Sequence, residues 1–180
     1  MADDDRLFVL TGGPGSGKST LIEALAAGGL SHMPEAGRAI IQDQVAIGGT
    51  ALPWSDRLAF AELMLSWDMR SYRAAQGLAG PVLFDRGIPD VIGYLRLSGL
   101  PVPPHMERAA RRFRYSRRVF IAPFWPEIFA RDAERKQSAE EAEATHAAMA
   151  EVYSRLDYEL IPLPRAAVEE RVRVVRAVTG

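Results

Sequence analysis

The sequence has no cysteine among its 180 residues and only three histidines. Without cysteine, a disulfide framework and a thiolate metal site are both excluded. His32, His105 and His146 lack the spacing of metal ligands, and we expect them to serve packing or the surface. The formal net charge of −1 gives no reason to expect a nucleic acid or an acidic membrane surface as a partner.

The sequence also lacks an uncharged apolar run long enough to span a bilayer. Residues 1–5 carry the wrong sign of charge for a signal peptide, so we expect a cytoplasmic protein with no membrane partner. A hydrophobic content of 48 % over 180 residues is enough for one core without disulfides. The sequence therefore predicts a single domain over residues 1–180.

A glycine-rich segment follows the apolar run at residues 7–10 and matches the pattern G-x-x-x-x-G-K-[ST]. In such a phosphate-binding loop, glycines let successive backbone N–H groups turn towards phosphate oxygens, and the next helix directs its positive end at them. Lys18 would reach the β- and γ-phosphates, and the Ser19 hydroxyl would bind Mg²⁺. The predicted cofactors are ATP and Mg²⁺, and the predicted nucleotide-binding residues are Gly12, Gly13, Pro14, Gly15, Ser16, Gly17, Lys18, Ser19 and Thr20.

Short apolar runs alternate with helical patterns along the rest of the chain. This alternation predicts an α/β fold with a parallel sheet and helices on both of its faces. Ser55 is the predicted N-cap of a long helix, and Ser138 opens a capping box with Glu141. The predicted strands are 7–10, 30–33, 81–84, 119–122 and 158–161, and the main predicted helices are 36–45, 55–75, 90–97, 138–156 and 166–178.

Two carboxylates follow predicted strands, at the edge of the sheet where the phosphate-binding loop also lies. Asp85 is placed where nucleoside triphosphatases hold Mg²⁺, although a strand-end cap or an ion pair with Arg86 is the alternative. Glu35 could accept a proton from a phosphate acceptor, and Arg38 could hold a polar or anionic part of it. The alternative for Glu35 is an acid that interacts with a helix dipole.

A charged segment at 123–137 predicts a lid, at approximately 124–138. Arg131 and Arg135 are four residues apart on one helix face, so both could neutralise a transferring phosphoryl group. A solvated face with pairs such as Glu127 and Arg131 is the alternative.

Two further groups of residues have two interpretations each. Asp68 and Arg70, with Trp54, Trp67 and Trp125, could line an acceptor pocket, but tryptophans at helical spacing also suit a core. The six arginines between 108 and 118 could bind a polynucleotide, but the neutral total charge favours an ordinary exposed face.

These motifs together resemble those of the small predicted AAA-family ATPases of bacteria. The motifs are GGPGSGKST, residues 34–38 (PEAGR), residues 84–90 (FDRGIPD) and residues 132–135 (DAER), and the resemblance covers nearly the whole chain. That group is similar to nicotinamide riboside kinase domains and, more distantly, to deoxynucleoside kinases. The resemblance implies a three-layer P-loop NTPase fold with a five-stranded parallel sheet and a kinase-type lid.

The resemblance to deoxynucleoside kinases also implies roles for individual residues. Glu35 matches the place of their base, and Asp85 with Arg86 matches an acid–arginine pair that acts near the phosphates. Arg131 and Arg135 would imitate lid arginines that contact the triphosphate. Those kinases carry Glu-Pro and Glu-Arg-Ser where this chain has Glu35-Ala36 and Asp85-Arg86-Gly87, so a nucleoside acceptor does not carry over.

The leading functional hypothesis is a Mg-dependent kinase that transfers the γ-phosphate of ATP to a small-molecule acceptor. In it Lys18, Glu35, Asp85, Arg131 and Arg135 are catalytic, Glu35, Arg38, Asp68 and Arg86 contact the acceptor, and Ser19 and Asp85 hold the metal. An ATPase acting as a nucleotide-dependent switch is the alternative. A polynucleotide kinase is a third hypothesis, which a steep salt dependence of RNA binding would indicate.

Overall fold

The protein is described by a computed structural model covering residues 4–126 and 138–180. Its strands are β1 (Leu7–Gly12), β2 (Ser31–Met33), β3 (Val82–Asp85), β4 (Arg118–Ala122) and β5 (Glu159–Pro162). Its helices are α1 (Lys18–Ala27), α2 (Ala36–Ile47), α3 (Arg57–Gln76), α4 (Ile88–Leu97), α5 (Pro104–Arg112), α6 (Ala139–Arg155) and α7 (Val168–Thr179).

The five strands form one sheet in the order β2-β3-β1-β4-β5, and every neighbouring pair is parallel. β1 lies in the centre, with Leu10 opposite both Asp85 of β3 and Phe120 of β4. Parallel strands end at the same edge of a sheet, so the segments after β1, β2 and β3 meet there. The predicted α/β fold with a five-stranded parallel sheet is confirmed.

Alternate residues of the central strands face two separate apolar clusters. Leu7 and Val9 of β1 pack into the cluster formed with α3, α4, α5 and α6. Phe8 and Leu10 pack into a second cluster, formed with α1 and α7. Because successive strand residues point to opposite faces, this division shows helices on both sides of the sheet. The predicted three-layer arrangement is therefore correct.

The helix starts show where local sequence signals succeed and fail. At α6 the Ser138 hydroxyl accepts from the Glu141 amide at 3.1 Å, and Glu141 accepts from the Ser138 amide at 2.8 Å, as the capping box predicts. At α3 the predicted N-cap Ser55 is wrong by one residue. Asp56 caps this helix, because its carboxylate accepts from the Ala59 amide at 2.9 Å.

Two arginines of the 108–118 cluster pack against aromatic rings. The Arg114 guanidinium lies 4.0 Å from the centre of the Tyr158 ring, and that of Arg118 lies 6.0 Å from the Phe8 ring. Arg114 also donates to the Leu156 carbonyl at 2.7 Å. These side chains therefore have structural partners within the fold. None of the described helices is both long and apolar enough to cross a membrane.

Candidate active site

The phosphate-binding loop joins the buried end of β1 to the start of α1. Gly12 has a φ of +130°, and a Cβ there would come within 2.5 Å of the Ala122 carbonyl oxygen. A Cβ on Gly13 would clash with the Ala142 carbonyl. Gly17, at the N-cap of α1, has a left-handed φ of 74°. Close approach and positive φ therefore both require glycine in this loop.

Lys18 is buried inside the loop, although it carries an ammonium group. Its Nζ donates to the carbonyl oxygens of Gly12 at 3.2 Å and Gly13 at 2.7 Å, and lies 3.3 Å from the Ser16 hydroxyl. Burial, with the nearby Arg86 guanidinium adding to it, lowers the pKa of Lys18 from 10.5 to about 7. An anion bound in the loop would favour the protonated ammonium.

The first turn of α1 presents two hydroxyl groups to the surface. Ser19 and Thr20 are exposed, whereas Ser16 is buried and donates from its hydroxyl to the Gly13 carbonyl at 2.8 Å. Ser16 thus stabilises the loop itself. The hydroxyls of Ser19 and Thr20 lie at the helix N-terminus, where anions and their bound cations are found.

Arg86 lies at the centre of the site, directly after β3. Its Nε donates to Glu35 at 3.1 Å, and its Nη1 donates to the Gly12 carbonyl at 3.1 Å and to Asp90 at 3.2 Å. The Arg86 backbone has a φ of 71°, which is strained for a residue with a side chain. This guanidinium therefore ties the phosphate-binding loop to the segments after β2 and β3. Among the described residues, Arg86 forms its ion pairs with Glu35 and Asp90 and not with Asp85.

Asp85 is the last residue of β3. Its Oδ1 is shielded from solvent and makes no hydrogen bond within the described residues. Burial, and then the charge of Glu35, raises the pKa of Asp85, although Lys18 and Arg86 oppose this. A cation beside Asp85 would remove that penalty, since it favours the ionised carboxylate.

Glu35 and Asp68 lie near each other and near Arg86, but their environments shift their pKa values in opposite directions. Burial alone would raise the pKa of Glu35, yet Arg86 and Lys18 outweigh it and hold the pKa below its ordinary value. Burial, and then the charges of Asp90 and Glu35, raises the pKa of Asp68 well above its ordinary value. One carboxylate is therefore kept ionised, and the other is favoured in its neutral form.

The remaining predicted site residues are only partly brought into this cluster. Arg38 is exposed on α2, although its charge helps to lower the pKa of Glu35. Trp54 is exposed, and Trp125 lines a cavity beside Gly17 and Thr20. Arg131 and Arg135 of the predicted lid lie outside the described residues.

Asp90 is a central residue of the site that the sequence analysis missed. Its Oδ1 accepts from the Thr11 hydroxyl at 2.5 Å and from Arg86, and its Oδ2 accepts from the Gly87 amide at 3.0 Å and the Tyr153 hydroxyl at 2.6 Å. Its place in the first turn of α4, four residues after Arg86, was the signal available in the sequence. Four donors hold this carboxylate in a fixed position.

The residues present fit a magnesium ion that is held partly by phosphates. Among the described residues, no cluster of three or more metal-ligating side chains could hold an ion unaided. Mg²⁺ needs only one or two carboxylates when phosphate oxygens supply further ligands. Asp85 offers an oxygen that has no hydrogen-bond partner among the described residues, and Ser19 offers an exposed hydroxyl.

A family model described as an AAA domain matches residues 7–171. The chain belongs to the AAA-domain family. The predicted resemblance to small P-loop proteins of this kind is confirmed. No curated protein matches the sequence.

Solved structures show that this AAA-domain protein has a P-loop kinase fold. Deoxyadenosine kinase from M. mycoides with the products dCMP and dCDP has a TM-score of 0.67 and 13 % identity, over 95 % of this chain and 97 % of that chain. The same kinase with dATP has a TM-score of 0.59 and 14 % identity, over 96 % and 97 %. The YorR protein of Bacillus subtilis, in complex with phosphorylated GDP, has a TM-score of 0.62 and 11 % identity, over 96 % and 94 %.

Proposed function

We propose that the protein is a Mg-dependent kinase that transfers the γ-phosphate of ATP to a hydroxyl group of a small molecule. The observation that carries this proposal is the meeting of Lys18, Glu35 and Asp85 around Arg86 at one edge of the sheet. A phosphate-binding cation, an ionised base and a carboxylate for the metal are the groups that phosphoryl transfer requires.

The loop of residues 12–20 would hold the phosphates of ATP, and Ser19 and Asp85 would hold Mg²⁺. When bound, the metal neutralises charge that builds up on the phosphate oxygens. Lys18 would contribute its ammonium to the same oxygens, and the positive end of α1 faces them. The solved dATP complex of a protein with the same fold supports a nucleoside triphosphate as ligand.

Glu35 would act as the general base. Its lowered pKa keeps it ionised at neutral pH, and its ion pair with Arg86 orients it. The acceptor hydroxyl would give its proton to Glu35 as its oxygen forms a bond to the γ-phosphorus. The bond from the γ-phosphorus to the bridging oxygen breaks, and that oxygen leaves with ADP.

The acceptor is proposed to be a molecule that carries no negative charge at its reacting end. Glu35 and Asp85 lie there, and an anionic group would be repelled by their carboxylates. Asp68, in its neutral form, can donate a hydrogen bond to the acceptor. Arg38, exposed on α2, is available to a polar part of the acceptor farther out.

The lid is proposed from the sequence only. Arg131 and Arg135 would neutralise the transferring phosphoryl group, within a single domain of residues 1–180 that carries its lid at approximately 124–138.

The test is acceptor-stimulated consumption of ATP. The protein, with Mg²⁺ and ATP, is incubated with pools of hydroxyl-bearing metabolites, and both ADP and a phosphorylated product are measured. Glu35→Gln should lower transfer by at least about 100-fold. Glu143→Gln, an exposed change on α6, should leave it unchanged. Hydrolysis that no acceptor stimulates, at equal rates in both variants, would favour the nucleotide-dependent switch instead.

A further inference from the structure

A cavity of about 210 Å³ lies beside the phosphate-binding loop. It is lined by Gly17 and Thr20 from the start of α1, by Trp125 after β4, and by residues 166–168 and Arg171 at the start of α7. Trp125, Ala166, Ala167 and Val168 make these walls largely apolar. Gly17 and Thr20 belong to the phosphate-binding segment itself, so a ligand with its phosphates in the loop has its remaining part within reach of the cavity.

Arg171 is a buried arginine at the wall of this cavity. The residue is 3 % exposed, and its Nη1 donates to the Gly17 carbonyl at 3.4 Å. Its Nε and Nη2 are shielded from solvent and have no hydrogen-bond partner within the part of the chain that the structure describes. Burial lowers the pKa of Arg171. A buried guanidinium with unpaired N–H groups destabilises a fold, which points to a ligand that accepts from them.

The residues that line the cavity indicate which chemical groups such a ligand carries. An arginine has only donors, so its partner must supply acceptor atoms. An indole ring and small aliphatic side chains favour a flat, largely apolar ring system. A heterocycle with ring nitrogens or carbonyl oxygens combines both properties, and a nucleotide places such a base a fixed distance from its phosphates.

We propose that Arg171 is a specificity-determining residue that binds acceptor atoms on the base of the nucleoside triphosphate. This inference rests on the nucleotide site of the proposed function, but it does not require phosphoryl transfer. Because the two free donors are next to each other on the guanidinium, they can bind two adjacent acceptors or one acceptor jointly. The phosphates by themselves gain nothing from this contact.

A structural role makes a different prediction. If Arg171 only supports the loop through the Gly17 carbonyl, its loss weakens every triphosphate equally. If it binds the base, its loss weakens nucleotides and leaves inorganic tripolyphosphate unaffected. The two roles are therefore separated by comparing ligands with and without a base.

The experiment measures binding of ATP, GTP and inorganic tripolyphosphate, each with Mg²⁺, by calorimetry. Arg171→Met should reduce nucleotide affinity by about 10- to 100-fold and change tripolyphosphate affinity by less than about twofold. Arg173→Met removes an exposed charge two residues along α7 and should change neither. Since Arg171→Met replaces an unpaired buried cation by an apolar chain, it should unfold at the same temperature as the unsubstituted protein or higher.

ATP analogues that lack N1, N3 or N7 of the ring identify the contact. At least one should bind the unsubstituted protein more weakly than ATP does, by about fivefold or more, while binding Arg171→Met as ATP does. Equal losses for ATP and tripolyphosphate in Arg171→Met, unchanged nucleotide affinity, or analogues that all behave alike in both proteins would each overturn the inference. Absence of transfer to any acceptor, with these binding results intact, would overturn the kinase function and leave the role of Arg171 standing.

Discussion

Asp85 and Asp90 are five residues apart at the same edge of the sheet, but their surroundings differ. Asp90 accepts hydrogen bonds from Thr11, Arg86, Tyr153 and the Gly87 amide, which occupy both of its oxygens. Asp85 has a buried Oδ1 that accepts none within the described residues.

The difference separates a carboxylate with a structural role from one that we propose for binding. Four donors hold Asp90 in place, and through it β1, α4 and α6 are joined. The surroundings of Asp85 disfavour its ionised form in the isolated protein. A bound cation would stabilise that ionised form. A charged side chain with all its partners stabilises the fold, whereas one without them is a candidate for binding.

The largest expected effect is on stability, and it differs between the two carboxylates. Asp90→Ala leaves Arg86 and three further donors without their acceptor, and we expect it to lower the free energy of unfolding by about 3–5 kcal/mol. Asp85→Ala should change it by less than about 1 kcal/mol, because its charge is already unfavourable. Urea unfolding at pH 7 measures both, and equal losses would remove the distinction.

The second prediction concerns activity, for which we expect the loss of Asp85 to have a large effect. Asp85→Ala should lower Mg-dependent turnover by at least about 100-fold, since the metal would lose its protein carboxylate. The folded state should persist under the assay conditions. An Asp85→Ala protein with full turnover over a titration of Mg²⁺ would contradict the role of Asp85.

A smaller effect is expected when Asp90 loses one donor and keeps three. Tyr153→Phe removes the 2.6 Å hydrogen bond to Oδ2 and should lower the free energy of unfolding by about 2 kcal/mol. Nucleotide affinity should be unchanged, because the Tyr153 hydroxyl donates to Asp90 and not to a residue of the phosphate-binding loop. A loss of affinity at unchanged stability would show that Asp90 takes part in binding itself.

The last prediction concerns the protonation of Lys18. Lys18 has a pKa of about 7 in the free protein, below its unfolded value, so the unfolded chain binds more protons between about pH 7 and 10. The contribution of Lys18 to stability therefore rises with pH over that window. Triphosphate binding favours the protonated form, so affinity should fall by at most about tenfold per pH unit above pH 7.

Calorimetry of ATP binding at pH 8, in buffers with different ionisation enthalpies, should show uptake of up to about one proton. Asp85 raises the pKa of Lys18, so Asp85→Ala should increase proton uptake at pH 7. No uptake in either protein would contradict the titration of Lys18.

Local patterns predicted most of the architecture. The apolar runs around residues 7–10, 81–84 and 119–122 gave three buried central strands, because strands covered on both faces have continuous apolar sequences. The capping box at Ser138 marked the start of α6. Since parallel strands end at one edge, the meeting of Glu35 and Asp85 near the loop also followed from their positions after strands.

The parts that were missed depend on contacts between distant residues. Tyr153 and Asp90 are 63 positions apart, and Arg171 and Gly17 are 154 apart. No local pattern identifies such pairs. Trp125, considered with Asp68 for an acceptor pocket, instead lines the cavity beside Gly17, because β4 ends on the opposite side of β1 from β3.

The sequence by itself determined the phosphate-binding loop, the alternation of strands and helices, and the carboxylates that follow the strands. These features depend on glycine conformation and on apolar periodicity, which act over a few residues. Only the tertiary structure decided that both oxygens of Asp90 accept hydrogen bonds, and that Asp85 Oδ1 and two Arg171 donors have no partner among the described residues. The physical reason is that burial and hydrogen-bond partners exist only once distant segments pack together.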